Sequence, residues 1–380
     1  MSSINTKTIT VTDYKVLGKL PELLKFDDGT DVTSPEDWEK RRKEIYKTAV
    51  EFQYGTMPPK PEFIEVEKLT DYHSYRIYTG TKSNPIFFYM KIIFPKNYKK
   101  PCPVIVDGDM CFDYPWDSDF RNVALDNGIA WVIFDRTEIA HDLAEEARRV
   151  GQIYKTYPEY TFGAIGAWAW GYSRCVDALE ILFGEKENPD IDFTQIIFTG
   201  HSRGGKTAAL AGALDKRATI VNPNQSGECG CGCYRILMKG YCEGIDSSSR
   251  SEVLRDDVTL FPYWTGPEMA KYLDREQDLP FDSHFLKALI APRILYTSDA
   301  AADIWANPIG AWMTNMAAKQ VWDLLGSPNN LYWSYRPGLH SHKAEDIRRL
   351  VNVIKHHKDP SIPLEDGFFV TPFEPREFIF

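Results

Sequence analysis

Seven residues, Gly200-His201-Ser202-Arg203-Gly204-Gly205-Lys206, stand between a short β-prone apolar run and a run of small helix-forming residues. Thr194-Gln195-Ile196-Ile197-Phe198-Thr199 precedes them and Thr207-Ala208-Ala209-Leu210-Ala211-Gly212-Ala213-Leu214 follows, so Ser202 falls where a strand turns sharply into a helix. Gly200 and Gly204 let the two elements approach closely, and the turn pushes the serine hydroxyl outward. The backbone N–H after such a serine faces the point where charge develops on an attacked carbonyl oxygen. A bare Gly-x-Ser-x-Gly match arises often by chance; the strand before and the helix after give this one the form of a nucleophile elbow.

The same alternation continues along the chain. Val104-Ile105-Val106, Ile129 to Phe134, the run before Ser202, Thr219-Ile220-Val221, Arg293 to Tyr296 and Leu331 to Ser334 read as strands, with helical patterns near 163–184, 203–214, 309–325 and 342–357. Short apolar strands separated by longer helices predict a mostly parallel sheet covered on both faces, an α/β three-layer sandwich of the α/β-hydrolase kind. Ligands then bind at the carboxyl ends of the strands. Ser34-Pro35-Glu36-Asp37 opens a charged helix to about Phe52, and the β-rich stretch that follows includes Ile86 to Phe94. Without a linker, repeat or low-complexity stretch, residues 1–380 read as one catalytic domain. Residues 1–85 form an N-terminal helix and β-rich extension, and 223–290, with Tyr263, Trp264 and a cysteine cluster, an insertion near the site. The tail after His357 is expected to wrap the surface.

A net charge of −10 leaves no basic face to neutralise phosphates, which argues against a nucleic-acid partner. The runs Lys40 to Lys43 and Lys96 to Lys100 are short solvated faces. No apolar run approaches the ~20 residues of a membrane span, and Met1 to Lys7 lacks the apolar core of a signal peptide. As written, the chain is expected to be soluble and not exported. Its seven cysteines, Cys102, Cys111, Cys175, Cys229, Cys231, Cys233 and Cys242, are an odd count in a long chain and fit free thiols. The C-x-C-x-C run at 229–233 lacks the paired spacing or nearby histidine of a zinc site, so no metal or other cofactor is expected. Ten tryptophans suit a carbohydrate or aryl-ester cleft, although a large aromatic core explains them as well.

A serine nucleophile needs a base, and the base needs an acid to fix its tautomer. Five of the eight histidines follow Ser202. His340, in Arg336-Pro337-Gly338-Leu339-His340 between the last strand and the final helix, is the favoured base, with His342 its competitor. His284 reads as a structural brace, and His356 and His357 end the last helix. For the acid, the loop expected after Tyr296 offers Asp299 and Asp303.

These residues resemble the bacterial glucuronoyl esterases of carbohydrate esterase family 15. The likeness runs from about Leu20 to about residue 355, through the Gly200–Lys206 elbow, Phe134 to Ala140, Ala167 to Gly171, Ala291-Pro292-Arg293, Asp303 to Pro308 and the Gly338-x-His340 loop. It implies Ser202 as nucleophile, His340 as base, Arg203 in the oxyanion hole through side chain and N–H, Lys206 on hydroxyls of a uronoyl sugar, and Trp305 lining that pocket. Lys206 lies one helical turn beyond Ser202, which makes the pairing physically coherent.

The departures matter as much. Fungal members carry a glutamate acid where this chain has Gln225, in Pro223-Asn224-Gln225-Ser226-Gly227. Asp303 matches the bacterial block better than Asp299 and becomes the expected acid, ahead of Asp299 and Glu228. His201 and Ser341 occupy positions of a disulfide found in some fungal members, so that bond cannot form here. The glutamine and glutamate that contact the sugar in fungal relatives have no evident counterparts before Trp264; Asp256 and Asp257 are out of register.

The expected activity is therefore hydrolysis of a carboxylic ester, a 4-O-methylglucuronoyl ester of the lignin–carbohydrate type, through a Ser-His-Asp acyl-enzyme. The alternative is an acetyl or feruloyl esterase acting on plant polysaccharide. The partner is a small-molecule or polysaccharide ester. Relatives are commonly exported to meet plant cell wall, so the compartment stays open.

Overall fold

The computed structural model describes residues 9–110, 120–143, 149–242 and 248–371; Met1 to Lys7, Cys111 and the end of the tail lie outside them. The strands are β1 (Ile9–Val16), β2 (Phe63–Thr70), β3 (Ser74–Gly80), β4 (Pro85–Ile93), β5 (Cys102–Asp107) and β6 (Ala130–Phe134). After them come β7 (Ile191–His201), β8 (Ile220–Asn224), β9 (Ile236–Cys242), β10 (Ser248–Arg250), β11 (Ile294–Ala300) and β12 (Leu331–Arg336). Nine of them form one sheet in the order β12-β11-β8-β7-β5-β6-β4-β3-β2. From β12 to β6 every pairing is parallel, while β4, β3 and β2 add antiparallel at one edge.

Period-two alternation sends each central strand into two cores at once. Val104, Val106, Val132, Phe134, Ile196 and Phe198 face one core, with Trp168 and Leu210 from the helices Ala164–Leu179 and Arg203–Leu214. Ile105, Trp131, Ile133 and Ile197 face the other, with Phe120, Ile347 and Leu350. Strands buried on both sides have to be apolar throughout, which is why they read so clearly in sequence. Ser34 caps the first helix by accepting from the Asp37 N–H at 3.1 Å, with Pro35 next, as its sequence predicts.

Two boundaries differ from expectation in ways that bear on function. Strand β11 does not stop at Tyr296 but continues through Asp299, which pairs with Tyr335 of β12. Asp299 therefore belongs to the sheet, and only Asp303 stands on the loop beyond it. The segment 223–290 opens with the end of β8 and then forms β9 and β10, which join β1 in a separate three-stranded sheet.

Candidate active site

Strand β7 ends at His201, and Ser202 makes the corner with φ 56° and ψ −122°, a conformation an L-residue holds only when its surroundings impose it. The Ser202 N–H donates to Asn224 O at 3.0 Å and Ser202 O accepts from the Lys206 N–H at 3.0 Å, clamping the corner between β8 and the helix Arg203–Leu214. Both glycines are sterically required. A Cβ at Gly200 would lie 2.4 Å from Gly204 O, and one at Gly204 would lie 2.3 Å from Asp109 Oδ1. The Arg203 N–H stands at the first helical position, where amide hydrogens project from the helix start.

His340 Nδ1 lies 2.7 Å from Asp303 Oδ2. Asp303 is almost wholly buried, while a third of the His340 side chain is open to solvent. Two backbone bonds fix the loops relative to each other: Ala301 N–H to Arg336 O (2.8 Å) and Ala302 N–H to Gly338 O (3.1 Å). The His340 ring packs 4.5 Å from that of His201, the residue before the serine. Ser202 and His340 make no hydrogen bond to each other; the His340 ring bonds Asp303 instead. Burial, with His340 and His342 adding to it, holds the His201 pKa well below the usual histidine value. Its neutral ring donates Nδ1–H to Asn224 Oδ1 at 2.6 Å.

The rival groups are occupied elsewhere. His342 is buried against His201 and Phe120. His284 bonds Pro21 O at 2.9 Å, and His356 bonds Ile362 O at 2.7 Å. Asp299 is pushed up to about 7 by burial, with Lys287 opposing and Asp303 adding to the rise. Burial also raises Glu228 well above the usual carboxylate range, and its Oε1 accepts from Asn307 Nδ2 at 3.1 Å. Neither acid bonds His340.

Lys206 is buried beside the elbow, not solvating a helix end. Its Nζ donates to Glu228 O and to Glu252 Oε2, the latter at 2.5 Å, and lies 5.4 Å from the Trp264 ring centre. Burial works against its charge, but Glu252 and Asp257 outweigh that and hold its pKa above the usual lysine value. Trp305 is half-buried; its carbonyl accepts the Glu252 N–H at 3.0 Å, and the Arg250 guanidinium lies 5.8 Å from its ring. Arg203 Nη1 donates to Asp142 Oδ1 at 2.9 Å.

With this geometry, the sequence pattern of the family described as "Glucuronyl esterase, fungi" matches residues 77–326. The chain belongs to the glucuronoyl esterase family. It is similar to a 4-O-methyl-glucuronoyl methylesterase of Podospora anserina, 31% identical over 320 residues that cover 84% of this chain and 63% of that one. A protein of the same name from Hypocrea jecorina is 31% identical over 328 residues, covering 86% and 66%. The chain thus spans just under two thirds of these curated relatives. Among solved structures, a carbohydrate esterase family 15 glucuronoyl esterase from Caldicellulosiruptor kristjansonii superposes with a TM-score of 0.81 at 28% identity, covering 98% of this chain and 97% of that one.

Within this family the position of Gln225 is informative. Its amide donates to Ser341 O and accepts from the Ser341 N–H, both at 3.0 Å, so it grips the residue after His340 from both sides. Sequence reasoning missed Glu252. Asp256 is engaged with Arg250 (2.6 and 2.7 Å) and Asp257 with the Cys229 thiol (3.0 Å), leaving Glu252 as the acid on Lys206. The signal available was indirect: a lysine buried beside an elbow requires an anion. The clustered thiols point apart, Cys229 to Asp257 and Cys233 to Asp282.

Proposed function

We propose that this chain is a serine esterase that hydrolyses esters of a uronic acid, with the 4-O-methylglucuronoyl ester as substrate class and a lignin-type alcohol as leaving group. The observation that carries the reading is the 2.7 Å contact between buried Asp303 and His340, set beside the strained Ser202 corner. The names of the relatives, 4-O-methyl-glucuronoyl methylesterases, support the same substrate class.

In this reading Ser202 Oγ attacks the ester carbonyl carbon while His340 Nε2 takes its proton, and Asp303 holds the resulting imidazolium. The oxyanion forms against the Arg203 N–H and guanidinium. Collapse breaks the C–O bond, His340 returns the proton to the departing alcohol, and the uronoyl group remains on Ser202. Water, deprotonated by His340, then releases the uronic acid. An ammonium has three N–H donors; Glu228 O and Glu252 take two from Lys206, so one is left for a sugar hydroxyl. Glu252 and Trp305 complete the pocket wall.

The test compares hydrolysis of benzyl glucuronate and 4-nitrophenyl acetate by the wild type and by Ser202→Ala. A loss on the order of 10⁶-fold in Ser202→Ala, with clear preference for the glucuronate in the wild type, is the expected result. Serine-dependent activity on the acetate alone would move the function to another carboxylic ester.

A further inference from the structure

Arg203 carries its guanidinium on a long, partly exposed side chain, and such a group stabilises an oxyanion only if it is held before the charge develops. Among the described residues, a carboxylate and two aromatic rings hold it. Asp142 Oδ1 accepts from Nη1 at 2.9 Å, and the Trp264 and Phe261 rings lie 4.9 and 5.1 Å from the guanidinium carbon. Those two rings stack on each other at 3.9 Å, so the guanidinium rests on a rigid platform.

Asp142 is itself fixed from several directions. The Tyr263 hydroxyl donates to the same Oδ1 at 2.6 Å, and Arg136 Nη2 approaches Oδ2 at 3.5 Å. Arg136 is fully buried, pairs with Asp109 and lies 4.8 Å from the Trp168 ring. Asp109 in turn accepts the His201 N–H at 3.0 Å. The circuit therefore closes on the elbow: Asp109 holds the backbone one residue before Ser202, and Asp142 holds the side chain one residue after it. Burial opposes a charge on Asp142, but Arg203 and Arg136 outweigh it and keep the carboxyl below the usual carboxylate range.

We propose that Asp142 is a positioning residue that fixes the Arg203 guanidinium where the oxyanion forms, an inference that rests on the role proposed for Arg203. Because the oxyanion exists only in the transition state, loss of this constraint appears in kcat and leaves KM nearly unchanged. A merely structural Asp142, a counter-ion for buried Arg136, would lower the melting temperature and act the same whatever residue stands at 203.

The experiment is a double-mutant cycle on benzyl glucuronate, with melting temperatures measured in parallel. Arg203→Ala is expected to lower kcat on the order of 100-fold. Asp142→Asn should lower it roughly tenfold with KM within about twofold, and by less than about twofold once Arg203 is already alanine. Equal losses in both backgrounds would overturn the proposal, while an Arg203→Ala enzyme with wild-type kcat would overturn the reading beneath it. If Asp142→Asn does not fold, Tyr263→Phe removes only the second donor to Oδ1. Its smaller loss of kcat should likewise vanish in the Arg203→Ala background, and persistence there would refute the inference.

Discussion

Replacing Asp303 by asparagine tests the proposed catalytic acid most sharply, because the structure dictates how the amide must sit. Asp303 Oδ1 accepts the Ala306 N–H at 3.3 Å, and Oδ2 meets His340 Nδ1 at 2.7 Å. In Asp303→Asn the amide oxygen keeps the Ala306 bond, so its NH₂ faces Nδ1. Two donors cannot share that contact; Nδ1 loses its proton, Nε2 gains one, and the base toward Ser202 is gone. The electrostatic loss adds to this. A carboxylate and an imidazolium with charge centres ~4 Å apart attract by roughly 4 kcal/mol at an effective dielectric of ~20, which is about a thousandfold in rate. The expected fall in kcat on benzyl glucuronate is on the order of 10³ to 10⁴. Asp303→Ala should fall less, because it leaves Nδ1 free to keep its proton. Circular dichroism and melting temperature establish that the variants fold. An Asp303→Asn enzyme within about tenfold of wild type would refute the argument, and a far larger loss in Asp299→Asn or Glu228→Gln would move the acid.

Gln225→Glu removes the only donor that residue offers Ser341 O and sets an anion against a carbonyl. Activity should drop on the order of tenfold as the His340 loop loosens, and rescue of Asp303→Ala by this change would contradict the clamp. His284 is pushed down to about 4 by burial from an ordinary 6.5. Below pH 6.5 the unfolded chain takes the proton first, so stability present above that value is lost as the pH falls toward 4, by roughly 3 kcal/mol. His284→Gln, which keeps a donor for Pro21 O, should flatten the fall in melting temperature between pH 7 and 4.5; an unchanged slope would count against it. Gly204→Ala drives a methyl into Asp109 and should cost about 1–3 kcal/mol or more, and a melting temperature within about 1 °C of wild type would contradict that reading.

The parallel sheet was legible because strands buried on both faces must be apolar, and helices between them must recur. The corner at Ser202 was legible because Gly200 and Gly204, both sterically required, stand between a β-prone run and a run of small helix-forming residues. What escaped has a common cause. Thr297, Ser298 and Asp299 are polar and so read as loop in sequence, yet they pair with β12 as fully as the apolar residues before them. Local polarity therefore gives Asp299 the look of a loop acid equal to Asp303. The sheet that joins β1 to β9 pairs residues more than two hundred positions apart, and no local pattern encodes such a contact. Glu252 belongs to no motif; only the position of the Lys206 ammonium reveals it.

The polar residues that local pattern handled worst are the ones around the elbow. Arg136, Asp109, Lys206 and Glu252 are all nearly or fully buried, and each is in an ion pair. Buried pairs of this kind are often no more stable than apolar residues of the same size, because two charges must first leave water. Stability therefore does not account for them. Position does: Asp109 holds the His201 amide beside a serine with φ 56°, and Lys206 with Glu252 sets a donor and an acceptor at fixed points one helical turn away. A strained corner persists only where its surroundings over-determine it. The strain at Ser202 and the ionic cost around it are thus two sides of one arrangement, which holds the proposed nucleophile and the groups beside it rigid.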